Sequence, residues 1–112
     1  MGGYFMAANH EKIITLNSPI PLLVDRMRNL PCSGLKMTLK GEGPYSNGGV
    51  CFQVKHGMSF TSWGENITVA LSPAGTDQTS VLVRSECALP TQIFDWGKNR
   101  KNVDSLIQYL SF

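Results

Sequence analysis

From Leu35 to Cys87, apolar and polar residues alternate with a period of two, and this pattern restricts the fold more than any other feature. The clearest run is LKMTLK at 35–40, and similar runs lie at 50–55, 67–72 and 79–87. Because successive side chains of a β-strand point to opposite faces, these runs predict strands with one apolar and one polar face. Such strands form antiparallel sheets whose apolar face must be covered by another layer.

Turn-forming residues separate these runs. GEGPYSNGG at 41–49 predicts a long hairpin loop and not a phosphate-binding loop, because it lies between two strands and leads into no helix. PAGTD at 73–77 predicts a second loop. His56-Gly57 is ambiguous, since the pair suits either a tight hairpin turn or a bulge within one long strand. Four or five strands are therefore expected in this part of the chain.

A first amphipathic segment is predicted after a short β-rich run, KIITLN at 12–17. Ser18 offers an N-cap hydroxyl, and Pro19 suits the first helical position because its missing N–H would have no partner there. The segment ends at Pro31 and Gly34. Its side chains follow helical spacing, with one set predicted to face the core and one to face outward: Leu23, Met27 and Leu30 inward; Asp25, Arg26 and Arg28 outward.

A second amphipathic segment closes the chain. An apolar stripe with the i, i+3, i+4, i+7 spacing of a helix face runs along it: Val103, Leu106, Ile107 and Leu110. Asp95 is a candidate N-cap, whose carboxylate would suit the positive end of the helix, and Asn99 or Asn102 could cap a shorter version. This helix is expected to lie on the sheet.

These elements predict an α+β domain: an antiparallel meander sheet of five to six strands packed against two helices, in the order β-α-β(4–5)-α. With five meander strands, the order is similar to a short helix-grip domain of the START or Bet v 1 type, in which a curved sheet grips a C-terminal helix. With four, it resembles TATA-binding-protein-like domains. Both resemblances rest on element order, which says little about function.

The length of 112 residues suits a single domain, predicted at 10–112 behind a flexible leader at 1–9. The leader has no features of a signal peptide, and no run of apolar residues is long enough for a membrane span. Three cysteines with neither CxxC nor zinc-binding spacing predict reduced thiols and a cytoplasmic protein with no metal site. No cofactor is expected.

Known catalytic patterns are missing from the sequence. His10 falls near the leader and His56 beside a turn glycine, and neither belongs to a recognisable nucleophile or metal motif. The eight carboxylates are scattered. Whether the protein is an enzyme stays open, with a non-enzymatic role favoured. A net charge of +2 predicts no nucleic-acid partner, because the excess of cations is too small for an electrostatic footprint.

Two groups of residues could nevertheless bind something. Three cations crowd the start of the closing helix and could bind an anion, although a solvated helix end is the simpler interpretation: Lys98, Arg100 and Lys101. A second group, mostly aromatic, could line a pocket for an apolar ligand between sheet and helix, although core packing is again simpler: Phe52, Met58, Phe60, Trp63 and Trp96.

The C-terminal third also carries a family resemblance. Arg84-Ser85 at a strand end, followed by Asp95-x-Gly97-x-Asn99-Arg100 at a helix start, resembles an uncharacterised bacterial family of unknown function with the pattern RS…DxGxNRxR. The likeness covers residues 81–110, with a longer spacer and with Lys101-Asn102 in place of the last arginine. It implies the same strand-to-helix architecture and no catalytic residue, and Arg84 is expected to pair with Asp95 or Glu86.

Three functions follow from these observations. The first is a small binding module that holds an apolar or amphipathic ligand between the sheet and the C-terminal helix. The second is a structural or interaction subunit that forms a homo-oligomer through an exposed sheet edge without a ligand. The third is an enzyme whose site is assembled in space. A cleft joining His56 to an acidic side chain of perturbed pKa would favour the third.

Overall fold

The fold of this chain is given by a computed structural model that describes residues 8–57, 64–88 and 97–112. Short 3₁₀ turns lie at Leu30–Cys32 and Ser46–Gly48. The strands and helices follow in chain order: β1 Asn9–Leu16, α1 Ile20–Arg28, β2 Met37–Tyr45, β3 Gly49–His56, β4 Glu65–Gly75, β5 Gln78–Cys87 and α2 Lys98–Leu110.

The sheet has five antiparallel strands in the order β1-β5-β4-β3-β2, and this confirms the predicted α+β class. Strands β2 to β5 form a meander, and β1 pairs with β5. Strands β1 and β2 are therefore the two edges of the sheet, and α1 connects them. The described residues contain four meander strands. Four is the number of meander strands in the TATA-binding-protein-like alternative. His56-Gly57 is neither a bulge nor a two-residue turn, because β3 ends at His56 and β4 begins at Glu65.

Both helices pack on one face of the sheet, as the apolar stripe of the closing helix predicted. The alternation along β5 is confirmed, with Val81 and Val83 fully buried and Leu82 on the opposite face. Among the described residues, fifteen buried apolar side chains form the core between the layers: Leu23, Val24, Met27, Leu30, Met37, Phe52, Val54, Ile67, Val69, Leu71, Val81, Val83, Val103, Leu106 and Leu110. Burial of these side chains is the main term that stabilises the two layers.

The two predicted loops are much shorter in the structure. Most of 41–49 belongs to β2 and β3, and the chain reverses over Ser46–Gly48, where Asn47 (φ 58°) and Gly48 (φ 81°) adopt left-handed conformations. Most of 73–77 belongs to β4, and only Thr76 and Asp77 form the turn into β5. The prediction of a long hairpin loop at 41–49 was wrong because two left-handed residues are enough to reverse a hairpin.

The helix starts also differ from expectation. Pro19 is the N-cap of α1, and no side-chain cap hydrogen bond forms there, while the Ser18 carbonyl oxygen accepts a hydrogen bond from Thr79 Oγ1 at 2.7 Å. Gly97 is the N-cap of α2, with a left-handed φ of 77°. Asp95, the predicted cap, lies outside the described residues.

A β-bulge in β2 changes which side chains face the helices. Leu39 pairs with Val54 and Gly41 pairs with Gln53, so Lys40 is an extra residue in the strand. One inserted residue reverses which face of the sheet successive side chains point to. Before the bulge the odd-numbered Leu39 faces the helical layer, and after it the even-numbered Glu42 does. Its carboxylate receives two hydrogen bonds from Arg28 at the end of α1, at 3.0 and 2.6 Å.

No described helix covers the opposite face of the sheet. One row of small and apolar residues crosses that face in register, from edge to edge: Ile13, Leu82, Ala70, Cys51 and Gly43. Ile13 at the β1 edge is the most open of them, with 62% of its surface exposed. On both sides of this row the neighbouring residues are mostly polar.

Candidate functional site

A cleft of about 580 Å³ opens at the end of the sheet, between the first turns of α2, the end of β3, and the segment that leads into β2. Its volume lies within the usual range for small-molecule sites. The walls combine apolar, polar and cationic groups: Gly34, Leu35, Lys36, Met37, His56, Gly57, Gly64, Glu65, Lys98, Lys101, Asn102 and Ser105. The cleft therefore lies at one end of the sheet, beside the C-terminal helix.

Gly64 sets the shape of this end of the sheet. It is buried with φ at 76°, and a Cβ at this position would overlap the carbonyl oxygens of His56 and Gly57. Only glycine permits so close an approach of the two backbones. Gly57 and Gly64 both line the cleft, and they flank residues 58–63 in the sequence.

The polar side of the cleft is built around the carboxylate of Glu65, which is only 4% exposed. Glu65 Oε1 lies 2.9 Å from His56 Nδ1 and accepts a hydrogen bond from Asn102 Nδ2 at 2.8 Å. His56 and Glu65 are directly opposed in the β3–β4 register, which explains why they meet. A histidine held through Nδ1 keeps Nε2 for another partner, as either donor or acceptor.

A second part of the network joins α2 to the sheet. Ser85 Oγ donates a hydrogen bond to Asn99 Oδ1 at 2.8 Å and accepts one from Asn102 Nδ2 at 3.2 Å. Asn99 Nδ2 donates to the carbonyl oxygen of Ala8 at 2.8 Å. Among the described residues no buried side-chain nitrogen or oxygen is without a partner. The polar wall is therefore held in one arrangement before any ligand binds.

The two asparagines correct the prediction that either might cap α2. Both lie inside the helix, and their side chains are almost fully buried against the sheet. The sequence did contain the relevant signal, because positions 99 and 102 each precede an apolar stripe residue, 103 and 106, by four. Extending the stripe toward the N-terminus would have predicted that both asparagines face inward.

The three predicted anion-binding cations do not lie together. Lys98 and Lys101 line the cleft, whereas Arg100 points away from it, is 76% exposed on its side chain, and lies 3.8 Å from Asp104 in the next turn. Lys36, which sequence reasoning did not single out, lines the cleft from the other side. It precedes β2 and has a left-handed φ of 59°.

Of the five residues predicted to line an apolar ligand site, one lies among the described residues. Phe52 is fully buried in the core and is not among the residues that line the cleft. The other four candidates lie outside the described residues: Met58, Phe60, Trp63 and Trp96. Instead, Leu35 and Met37 form the apolar side of the cleft.

Two further expectations concern residues away from the cleft. His10 lies in β1 and not in the leader, and it pairs with Ser85 in the β1–β5 register. Arg84 lies 3.7 Å from Glu86, as predicted, and 3.8 Å from Glu11 on β1. Both ion pairs are partly exposed and long, so they contribute little to stability.

Comparisons with known proteins leave the family open, because no family model matches the chain and no curated protein is significantly similar to it. The resemblance to the RS…DxGxNRxR family stays a prediction. In the described residues, neither helix is long and apolar enough to cross a membrane. Residues 8–57, 64–88 and 97–112 also contain no cluster of three histidine, cysteine or acidic side chains suited to a metal ion.

Proposed function

We propose that this protein is a small binding module that holds an amphipathic ligand in the cleft between the sheet and α2. The observation that carries the proposal is a cleft with two unlike sides. Leu35 and Met37 form an apolar side, and the network of His56, Glu65 and Asn102 forms a polar side. Small-molecule sites commonly combine an apolar lining with a few fixed polar groups that orient the ligand.

Preorganisation supports binding at this place. The polar groups are already held by hydrogen bonds within the protein, so a ligand would not need to order them at a cost in conformational entropy. Gly64 has no side chain at the point where its backbone approaches the carbonyl oxygens of His56 and Gly57. The cleft is therefore already formed in the free protein.

Native mass spectrometry of the protein purified from the organism that makes it tests this proposal. We expect a bound small molecule that leaves on denaturation. Ser105→Trp, which places an indole in the cleft, should remove it, because Ser105 lines the cleft and is half-buried. Gln108→Trp, at an exposed position one turn further along α2, is the matched control and should keep the ligand.

A second candidate function, a homo-oligomeric subunit without a ligand, is favoured by one observation. The small and apolar row on the sheet face that no described helix covers ends at the exposed Ile13 of edge strand β1. Edge strands and open apolar patches are common sites of self-association. The same mass spectra measure oligomeric state, and a ligand-free oligomer that also fails to bind added amphiphiles would replace the first proposal with this one.

A further inference from the structure

We infer that the ligand of the cleft carries an oxyanion, a carboxylate or a phosphate, which is bound by Lys98 and Lys101. The inference rests on the proposed binding function and adds the chemical class of the ligand's polar group. Both lysines line the cleft from α2, one helical turn apart, beside Asn102. Side chains three residues apart lie on the same helix face, so the two ammonium groups can approach one ligand group together.

The balance of charge in the cleft supports an anion. Three lysines line it, Lys36 in addition to the two on α2, and Glu65 is the one carboxylate among the described lining residues. Oε1 of Glu65 is already in hydrogen-bond contact with His56 and Asn102. Positive charge is therefore in excess among the described residues that line the cleft, and this excess attracts anions from solution.

Ion pairing differs among the basic residues. Four of those outside the cleft lie within 4 Å of a carboxylate, namely Lys12, Arg28, Arg84 and Arg100, whereas among the described residues Arg26, Lys40 and Lys55 have no such pair. Within residues 8–57, 64–88 and 97–112, none of the three cleft lysines has such an ion pair. An ammonium group without a carboxylate partner remains available to a ligand.

Helix stability does not explain the positions of Lys98 and Lys101. They lie in the first turns of α2, which has no acidic residue in its first turn, and cations at this end oppose the helix dipole. Arg100, at the same end, is compensated by Asp104, whereas the two lysines that face the cleft are not. A bound anion would supply the missing negative charge.

The test measures the affinity of ligand-free protein for four probes with the same alkyl chain: decanoate, decyl phosphate, decanol and decyltrimethylammonium. We expect both anions to bind more tightly than decanol and the cation to bind most weakly. The double variant Lys98→Gln/Lys101→Gln should weaken the binding of the anions about tenfold, since hydrogen bonds to charged groups contribute more than neutral ones. It should leave the affinity for decanol unchanged.

Arg100→Gln is the matched control, because it removes one cation from the same helix end without altering the cleft. We expect it to change the affinity for the anions less than about twofold, as befits a screened charge outside the site. Circular dichroism establishes that the variants are folded. The relative affinities for decanoate and decyl phosphate then decide which oxyanion is preferred.

Each contrary result has a distinct meaning. If decanol binds as tightly as decanoate, or if Arg100→Gln weakens anion binding as much as the lysine variant, the oxyanion site is wrong and the binding module stands. If no probe binds at all, the proposed function itself fails. Tightest binding of decyltrimethylammonium would overturn the inferred charge of the ligand.

Discussion

Asn102 shows how one residue can serve both the fold and the site. Its amide group donates hydrogen bonds to Glu65 and Ser85, and it lines the cleft one turn before the buried Leu106. An asparagine on the buried face of a helix is acceptable only where its polar atoms find partners. The carboxylate of Glu65 in turn depends on such donors, because a buried charge without hydrogen bonds is strongly unfavourable.

We predict that Asn102→Ala lowers the free energy of unfolding by about 2 kcal/mol, because it removes a donor from a buried carboxylate. Urea denaturation measures the change, and Gln108→Ala, on the exposed side of the same helix, is the control. A loss no larger than that of the control would mean that water or another group replaces the amide without cost.

The contact between His56 and Glu65 could not be predicted from either residue in the sequence. Beside a glycine, His56 had the features of a turn residue, and Glu65 was one of eight scattered carboxylates. Their contact at 2.9 Å depends on the β3–β4 register, which joins residues nine positions apart across the end of a hairpin. Register is decided by which face of each strand is buried, and a local motif does not contain that information.

At the scale of elements, α2 combines a stabilising face with an unfavourable N-terminal end. Its buried face packs on β5 and β1 through Val103, Leu106 and Leu110, while its first turn carries cations and no acid. The stripe was predictable from spacing alone because the helical period determines which residues share a face. The side to which each cation points depended on how the helix lies on the sheet.

We predict that Lys98→Glu/Lys101→Glu leaves the fold intact and raises the free energy of unfolding by about 0.5–1 kcal/mol, because acids suit the N-terminal end of a helix. Adding Arg100→Glu should cancel part of the gain, since it replaces the contact with Asp104 by repulsion. Thermal unfolding at low ionic strength measures both variants. A large destabilisation of the double variant would show that the lysines have partners within the protein.

For the whole molecule, α1 connects the two edges of the sheet and is tied to its surroundings by two arginines. Arg26 was predicted to face outward, but its Nε donates to the Tyr109 carbonyl at 3.0 Å and its guanidinium lies 4.3 Å from the Tyr109 ring centre. Arg28 binds Glu42 of β2 in a bidentate contact. Together they fix α1 to α2 on one side and to the edge of the sheet on the other.

The Arg28 contact predicts a pH dependence of stability. The hydrogen bond from Arg28 lowers the pKa of the Glu42 carboxyl below its ordinary value of 4.5, and the same bond raises the pKa of Arg28 above its ordinary value. A carboxyl with a lowered folded-state pKa stabilises the fold above its ordinary pKa and loses this effect as the pH falls through the lowered value. The contribution of Arg28 is lost only at strongly alkaline pH, as the pH rises through its raised pKa.

We therefore expect Glu42→Gln to be less stable than the unmodified protein at pH 7, and the difference to shrink as the pH falls below 4.5. The effect should be small because the pair is exposed and screened. Urea midpoints measured across this range test the prediction. In an Arg28→Gln background, Glu42→Gln should have little effect at any pH, and an undiminished effect there would show that Glu42 acts through another partner.

The sequence by itself determined the fold class, because periods of two and of 3.6 residues place apolar side chains on one face of each element. It placed Val81 and Val83 on one face of their strand and predicted the apolar stripe of α2. Only the tertiary structure decided which polar residues line the cleft at the end of the sheet. His56, Glu65 and Asn102 come from three elements, and the bulge at Lys40 redirects Glu42. Strand register and helix placement are long-range properties that local spacing does not encode.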